Sequence, residues 1–412
     1  MKRIIIFIVF LLLSGMSIFA QSPDMSFYTD EYNRSDATMT DMLDILRMVK
    51  DENLTGIGSF YQNAVVVYIQ RLPNYTNPRD RMAVEETARL ILRGLAAEKH
   101  VEAAPQIWFL IQYFDISQQI NSGYIMYEGL VAMGQVGAKD YTPPIVGILE
   151  SYNARTTTDP VAKGRVQLVV PACINALENL SEPLGVKPIF FASIGWYDND
   201  IKAIALTSVI NLMGALGDVI SDVVSDIIKD HFNGPVVKLA AWDSLLRSNA
   251  PNNAKAKVAI VALEASFNYS PTAEAKNASM RMRMSTIDVI RVFGVEDDSV
   301  YAFLERTYRE SFAFPAEFEY VVKVIRALSV LKTDESITLL TDFLRELNTK
   351  RRSGPWGDTE RNILFAVIND IAATGTQSPP TIQLLTVISR SSIYTGAEQT
   401  WARNALTKLT GR

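Results

Sequence analysis

Cysteine is almost absent. Cys173 stands alone among 412 residues, so no intramolecular disulfide can form and no thiolate cluster can hold zinc. Histidine is nearly as scarce: only His100 and His231 occur, far apart, and neither belongs to an HExxH pattern. The chain has no GxSxG elbow, no GxxxxGK[ST] phosphate loop and no GxGxxG. The usual signatures of nucleophilic, zinc-assisted and nucleotide-dependent chemistry are therefore missing, and no cofactor is implied. A basic surplus is missing too. With 40 Lys and Arg against 45 Asp and Glu the formal charge is −5, which argues against a general nucleic-acid binder. Beyond residue 20 no apolar run approaches the roughly twenty residues that a membrane-spanning helix needs. Segments such as Val65–Ile69 and Val186–Ile194 are too short.

What the chain does have begins at its N-terminus. Lys2 and Arg3 precede an unbroken apolar run, Ile4 to Leu13, and Ser14, Gly15 and Ser17 then relax the hydrophobicity ahead of Phe19-Ala20-Gln21. That order of charged, apolar and small residues predicts a secretory signal peptide over 1–20, cleaved after Ala20, with an uncleaved anchor as the alternative. The protein is then expected in the periplasm or outside the cell, with no membrane span once the signal is removed. Losing Lys2 and Arg3 and no acid takes the charge from −5 to −7, still mildly acidic and favourable for solubility. Residues 21–37 (QSPDMSFYTDEYNRSDA) are polar and predict a short flexible leader.

From residue 38 to 412 one local pattern recurs: a helix with apolar residues at spacings of three and four, a short polar turn, then a second such helix. The second helices are the plainest. They include ETARLILRGLAA, YEGLVAMGQVG, RVQLVVPACINALENL, IKAIALTSVINLMGALG, VVKLAAWDSLLRSN, MRMSTIDVIRVFG, YVVKVIRALSVLK, RNILFAVINDIAATG and TWARNALTKLTG. Aligning one apolar position from each gives Leu95, Leu130, Leu177, Leu212, Leu245, Ile290, Leu328, Ile368 and Leu406, about 39 residues apart on average. A helical hairpin cannot bury its apolar face alone, so such units stack into a continuous core. The predicted fold is an all-α superhelix of stacked two-helix repeats. Small residues such as Gly129, Gly134 and Ala176 are placed to let helices approach closely. Two runs rich in branched and aromatic residues, NAVVVYIQRL and GVKPIFFASIGWY, are read as helices because their neighbours keep the helical period. Polar loops are expected at 152–160 and 348–359.

Two stretches carry a resemblance to a known family. GAEQTWARNALTKLTGR resembles the second helix of a HEAT repeat, with Ala402, Ala405 and Leu406 in the small-apolar slots. IGWYDNDIKAIAL resembles the join between two HEAT helices, with Asp198 to Asp200 as the turn. The resemblance implies a HEAT or armadillo-like α-solenoid. It implies no particular function, because such arrays serve many tasks.

Several polar clusters are candidates for chemistry. Asp222, Asp226 and Asp230 recur every four residues and share one helix face, where a solvated stripe is the simplest expectation. Asp198-Asn199-Asp200 reads as a turn and helix cap. His100 and His231 fall near helix ends, and Cys173 lies in an apolar helical run that predicts a buried, inert thiol. For partner binding the sequence nominates Lys350, Arg351, Arg352 and Trp356, three cations running into a Gly-Pro-Trp-Gly turn, and the pair Trp196-Tyr197 at another turn. The resulting expectation is an exported, non-catalytic scaffold that binds a protein through its concave face or inter-repeat loops. Alternatives are an enzyme using carboxylates such as Asp198 or Asp222, and a self-associating envelope component.

Overall fold

A computed structural model describes residues 25–75, 77–116, 123–268, 272–295, 297–312, 317–354 and 356–411. The predicted signal peptide, 1–20, lies outside the described residues. Within them the chain is an all-α helical repeat of twenty α-helices, with no strand. It divides into two compact units, one built from residues up to Pro188 with Trp196–Ala205, the other from Ile189–Gly195 with Leu206 onward.

The first unit contains α1 (Ser26–Asn33), α2 (Met39–Asp51), α3 (Gly58–Arg71), α4 (Arg81–Ala97), α5 (Ala104–Ile116), α6 (Gly123–Val136), α7 (Thr142–Ala154) and α8 (Pro160–Leu180). Each odd helix packs on the even helix that follows it. The even helices α2, α4, α6 and α8 also pack on one another in succession. Next come α9 (Val186–Ile194) and α10 (Asn199–Ala215), each with residues in both units. The second unit continues with α11 (Ile220–Lys229), α12 (Pro235–Arg247), α13 (Asn252–Ala265), α14 (Ala273–Phe293) and α15 (Asp298–Phe312). It ends with α16 (Phe318–Leu331), α17 (Asp334–Ser353), α18 (Asp358–Thr374), α19 (Pro379–Arg390) and α20 (Gly396–Thr410). Its even helices, α12 through α20, again form one layer and its odd helices, α11 through α19, the other.

The nine second helices read from the sequence are α4 to α20 in the even series. Eight of the nine aligned apolar positions, Leu95 to Ile368, are buried, and Leu406 on the last helix is half-buried. Helix starts are fixed locally: the side chains of Thr38, Asp159, Thr272, Thr333 and Thr395 each accept a backbone N–H three residues on. Close approach rests on glycine at one point in particular. A Cβ on Gly134 of α6 would lie 2.8 Å from the Ala176 Cα of α8, so only hydrogen fits there.

Charges bridge neighbouring even helices. Arg47 pairs with Glu86 at 2.9 Å, and Arg93 and Arg89 converge on the buried Glu128. In the second unit Arg281 reaches Asp243 at 3.8 Å, Lys323 reaches Asp288 at 2.5 Å and Arg361 reaches Glu398 at 3.3 Å.

Three sequence-based expectations are corrected. The leader over 21–37 is instead packed from residue 25 onward. Tyr32 of α1 is fully buried, edge-on to Phe60, and its hydroxyl donates to the Ala64 carbonyl at 3.3 Å. Arg71 donates to the carbonyls of Asn33, Arg34 and Ala37, which holds the following turn. The loop expected over 348–359 is helical as far as Ser353. Lys350, Arg351 and Arg352 fill the last turn of α17, where cations suit the helix dipole. The loop expected over 152–160 shrinks to 155–159, because α7 runs to Ala154 and Pro160 opens α8.

Candidate functional site

The sequence-nominated cations and aromatics turn out to fasten the fold. Lys350 forms a salt bridge with Glu360 at 3.0 Å, and its ammonium lies 4.8 Å from the centre of the Phe312 ring. Arg351 donates from Nε to the Ile393 carbonyl at 2.9 Å, and its guanidinium stands 5.3 Å from the Trp356 ring. Trp356 is half-buried and packs edge-on to Tyr394, whose hydroxyl donates to Asn348 at 3.0 Å. Lys350 and Arg352 are exposed, and Arg351 is half-buried. The cluster thus ties the end of α17 to the start of α18 and to the turn before α20. Trp196 and Tyr197 are committed in the same way. The Trp196 indole donates to the Tyr152 carbonyl at 3.1 Å, and the Tyr197 hydroxyl donates to Asn153 at 2.9 Å.

The titratable candidates also have local duties. Asp198 caps α10 by accepting the Ile201 N–H at 3.0 Å. Asp222 is exposed and bridged to Lys257 at 2.7 Å, Asp226 is exposed, and Asp230 accepts the Phe232 N–H. His100 Nε2 lies 2.8 Å from the Gln62 carboxamide, while His231 stacks on Phe232. Cys173 is fully buried, and that burial pushes its thiol well above the ordinary range.

A concavity lies elsewhere, on the even helices of the second unit. A groove of about 480 Å³ runs between α16 and α18, and an adjoining one of about 130 Å³ lies between α18 and α20. Phe365 and Asn369 line both. Each helix contributes one stripe. On α16 it is Phe318, Val322 and Arg326, on α18 Asn362, Phe365 and Asn369, and on α20 Trp401, Asn404 and Lys408. Spacings of three and four place each trio on a single helix face. Phe365 is 46% exposed and meets Trp401 edge-to-face, with ring centres 4.9 Å apart. Phe365 and Trp401 thus set an aromatic pair into a concave wall, the kind of lining that binding pockets use.

Two carboxyls are pushed above the usual carboxylate range by burial. Asp370, in the groove, is held back in part by the Arg326 charge and a Ser329 hydrogen bond. Asp243 is held back by Arg281 and Arg247. They sit on α18 and α12, with α14 and α16 between them in the layer, so they do not form an acid–base pair. The groove was missed in the sequence because its nine stripe residues come from three helices, each a repeat apart. The one usable signal was asparagine at exposed mid-helix positions. No protein-family model matches the chain, and no curated protein or solved structure matches it either.

Proposed function

We propose that this chain is an exported, non-catalytic binding protein of the HEAT or armadillo kind, which holds a protein partner against the even-helix face of its second unit. The observation that carries the reading is the two-part groove with Phe365 open at its centre and Trp401 beside it. Aromatic side chains in a concave surface, surrounded by polar groups, are what protein-binding hot spots are made of. The two-helix unit of about forty residues supports the family. The charged and apolar order of residues 1–20 supports export.

The alternatives are less well supported. Asp198 is used as a helix cap and Asp222 is bridged to Lys257, so the carboxylates nominated for acid–base work already have structural partners. Self-association through the last hairpin finds little apolar surface, since Thr400, Arg403 and Thr407 of α20 are polar and Arg403 and Thr407 are exposed.

The test is capture of a partner from envelope extract by the exported protein, beside a Phe365→Ala/Trp401→Ala variant. A second variant changes Lys350, Arg351, Arg352 and Trp356 to Ala. Circular dichroism establishes that both variants fold. The reading expects a partner retained by the wild type and by the second variant, and lost from the groove variant. A partner retained equally by the groove variant moves the site off this face; loss only from the second variant assigns it to the end of α17.

A further inference from the structure

Three asparagines in the groove are out of place by local physics. Asn costs a helix interior up to about 0.7 kcal/mol relative to Ala, and its carboxamide competes with the backbone for hydrogen bonds. Yet Asn362 and Asn369 lie within α18 and Asn404 within α20, all three exposed. Their side chains make no hydrogen bond among the described residues, neither to another side chain nor back to their own helix. A solvated face is served better by Glu, Lys or Gln. A residue that breaks a local rule without a local gain marks a site where something else is recognised.

The charges beside them are only partly engaged: the Arg326 charge acts on Asp370, though no salt bridge closes between the two among the described residues. Arg326 and Lys408 are exposed, and neither forms a salt bridge among the described residues, whereas the neighbouring Lys323 is taken by Asp288. Arg326 shares the first groove with Asn369, and Asn369 shares the second with Lys408. The three therefore run in a row across α16, α18 and α20, cation, carboxamide, cation, with Val322 and Phe365 alongside. Of the groove's acids, Glu319 lies at the far, Phe318 end of the α16 stripe, and Asp370 is half-buried.

We propose that this groove takes an extended, acidic polypeptide segment laid across the helices. The proposal rests on the protein-binding reading above and names its ligand class. A carboxamide offers a donor and an acceptor side by side, which is what one main-chain amide presents in return. Asn369 and Asn404 hold the strand's backbone, Phe365 and Val322 receive an apolar side chain, and Arg326 and Lys408 meet carboxylates. Packed helices lie about 8–10 Å apart and an extended chain rises about 3.3 Å per residue. Two helix steps then separate the carboxylates by about five residues.

The probe is a labelled hexapeptide, Glu-Ala-Phe-Ser-Ala-Glu, titrated into the whole protein and followed by fluorescence anisotropy. Saturable binding is expected, weakening as salt is raised. The Arg326→Gln/Lys408→Gln double variant is expected to bind roughly tenfold more weakly, as two exposed ion pairs allow. Asn369→Ala weakens binding without changing the salt dependence. Replacing both Glu of the peptide by Gln reproduces the cation loss and needs no altered protein. No binding at millimolar peptide overturns the proposal, as does binding that none of these changes affects. Capture of an acidic oligosaccharide such as oligogalacturonate, with no peptide binding, also overturns it. If an envelope partner still depends on Phe365 while the peptide fails to bind, the acidic strand is wrong and the protein-binding reading stands.

Discussion

Gly134 and Gly147 occupy the interiors of consecutive helices, α6 and α7, and have opposite surroundings. A methyl group on Gly134 meets the Ala176 backbone at 2.8 Å, whereas one on Gly147 meets nothing within 4 Å. Gly134→Ala is therefore expected to force α6 from α8 and cost about 1–3 kcal/mol. Gly147→Ala only removes the entropy of a flexible residue and is expected to stabilise by about 0.5–1 kcal/mol. Urea melts of the two variants, read at equal m-values, check both signs. Cys173 gives a second test at this scale. Fully buried, with its thiol pushed up by desolvation, it should stay unreactive to Ellman's reagent in the native protein. One equivalent of thiol should appear once the chain is unfolded; prompt reaction in buffer would show that α8 opens readily.

Within a single helix, α18 sets a half-buried acid against stability. Burial raises the Asp370 carboxyl, so the folded protein holds that proton more tightly than the unfolded chain does. Its contribution is full below the unfolded value of about 4 and is lost as pH rises through the raised folded value. Asp370→Asn is thus expected to raise the melting temperature at neutral pH, with the gap closing as pH falls. A gap that widened in acid would mean that Arg326 outweighs burial. The same helix shows what sequence could and could not reveal. Its apolar face was legible because Leu364, Ile368 and Ile371 keep the helical period, as were the faces of the other eight second helices. Two elements were not. α1 is only eight residues long, and Tyr32 is its one buried residue. The end of α17 was read as loop because its charges suggested solvent, although Lys and Arg are good helix formers and suit a helix C-terminus. Trp196 and Trp356 were visible as aromatics, but their partners, Tyr152 and Tyr394, lie 44 and 38 residues away in the chain. The groove was hidden for the same reason.

Across the molecule, stability accrues between neighbouring hairpins, because each even helix is covered by the next one in its unit. The last hairpin of the second unit illustrates this. α20 covers the apolar face of α18, and its Glu398, fully buried, both caps α20 and receives Arg361. Removing residues 379–412 should leave that face wet and Arg361 without its acid. A lower melting temperature and new binding of an apolar dye are expected. An unchanged melt would mean that the hairpins hold together without their neighbours.

The charge bridges between even helices bear on how an array of this kind can change over generations. In the first unit the cation sits on the earlier helix, as in Arg47 with Glu86 and Arg93 with Glu128. In the second unit the acid comes first at Asp243 with Arg281 and at Asp288 with Lys323, and the order flips again at Arg361 with Glu398. Each hairpin so bridged is therefore keyed to one particular neighbour. A recombination event that copied, dropped or exchanged a single hairpin would bring together faces written for other companions and leave charges such as the buried Glu398 without their salt-bridge partner. Chains of this type are commonly pictured as lengthening by tandem copying. Such pairing makes the bridged hairpins an ordered series in which a change at one position is easier to absorb than the gain or loss of a whole repeat.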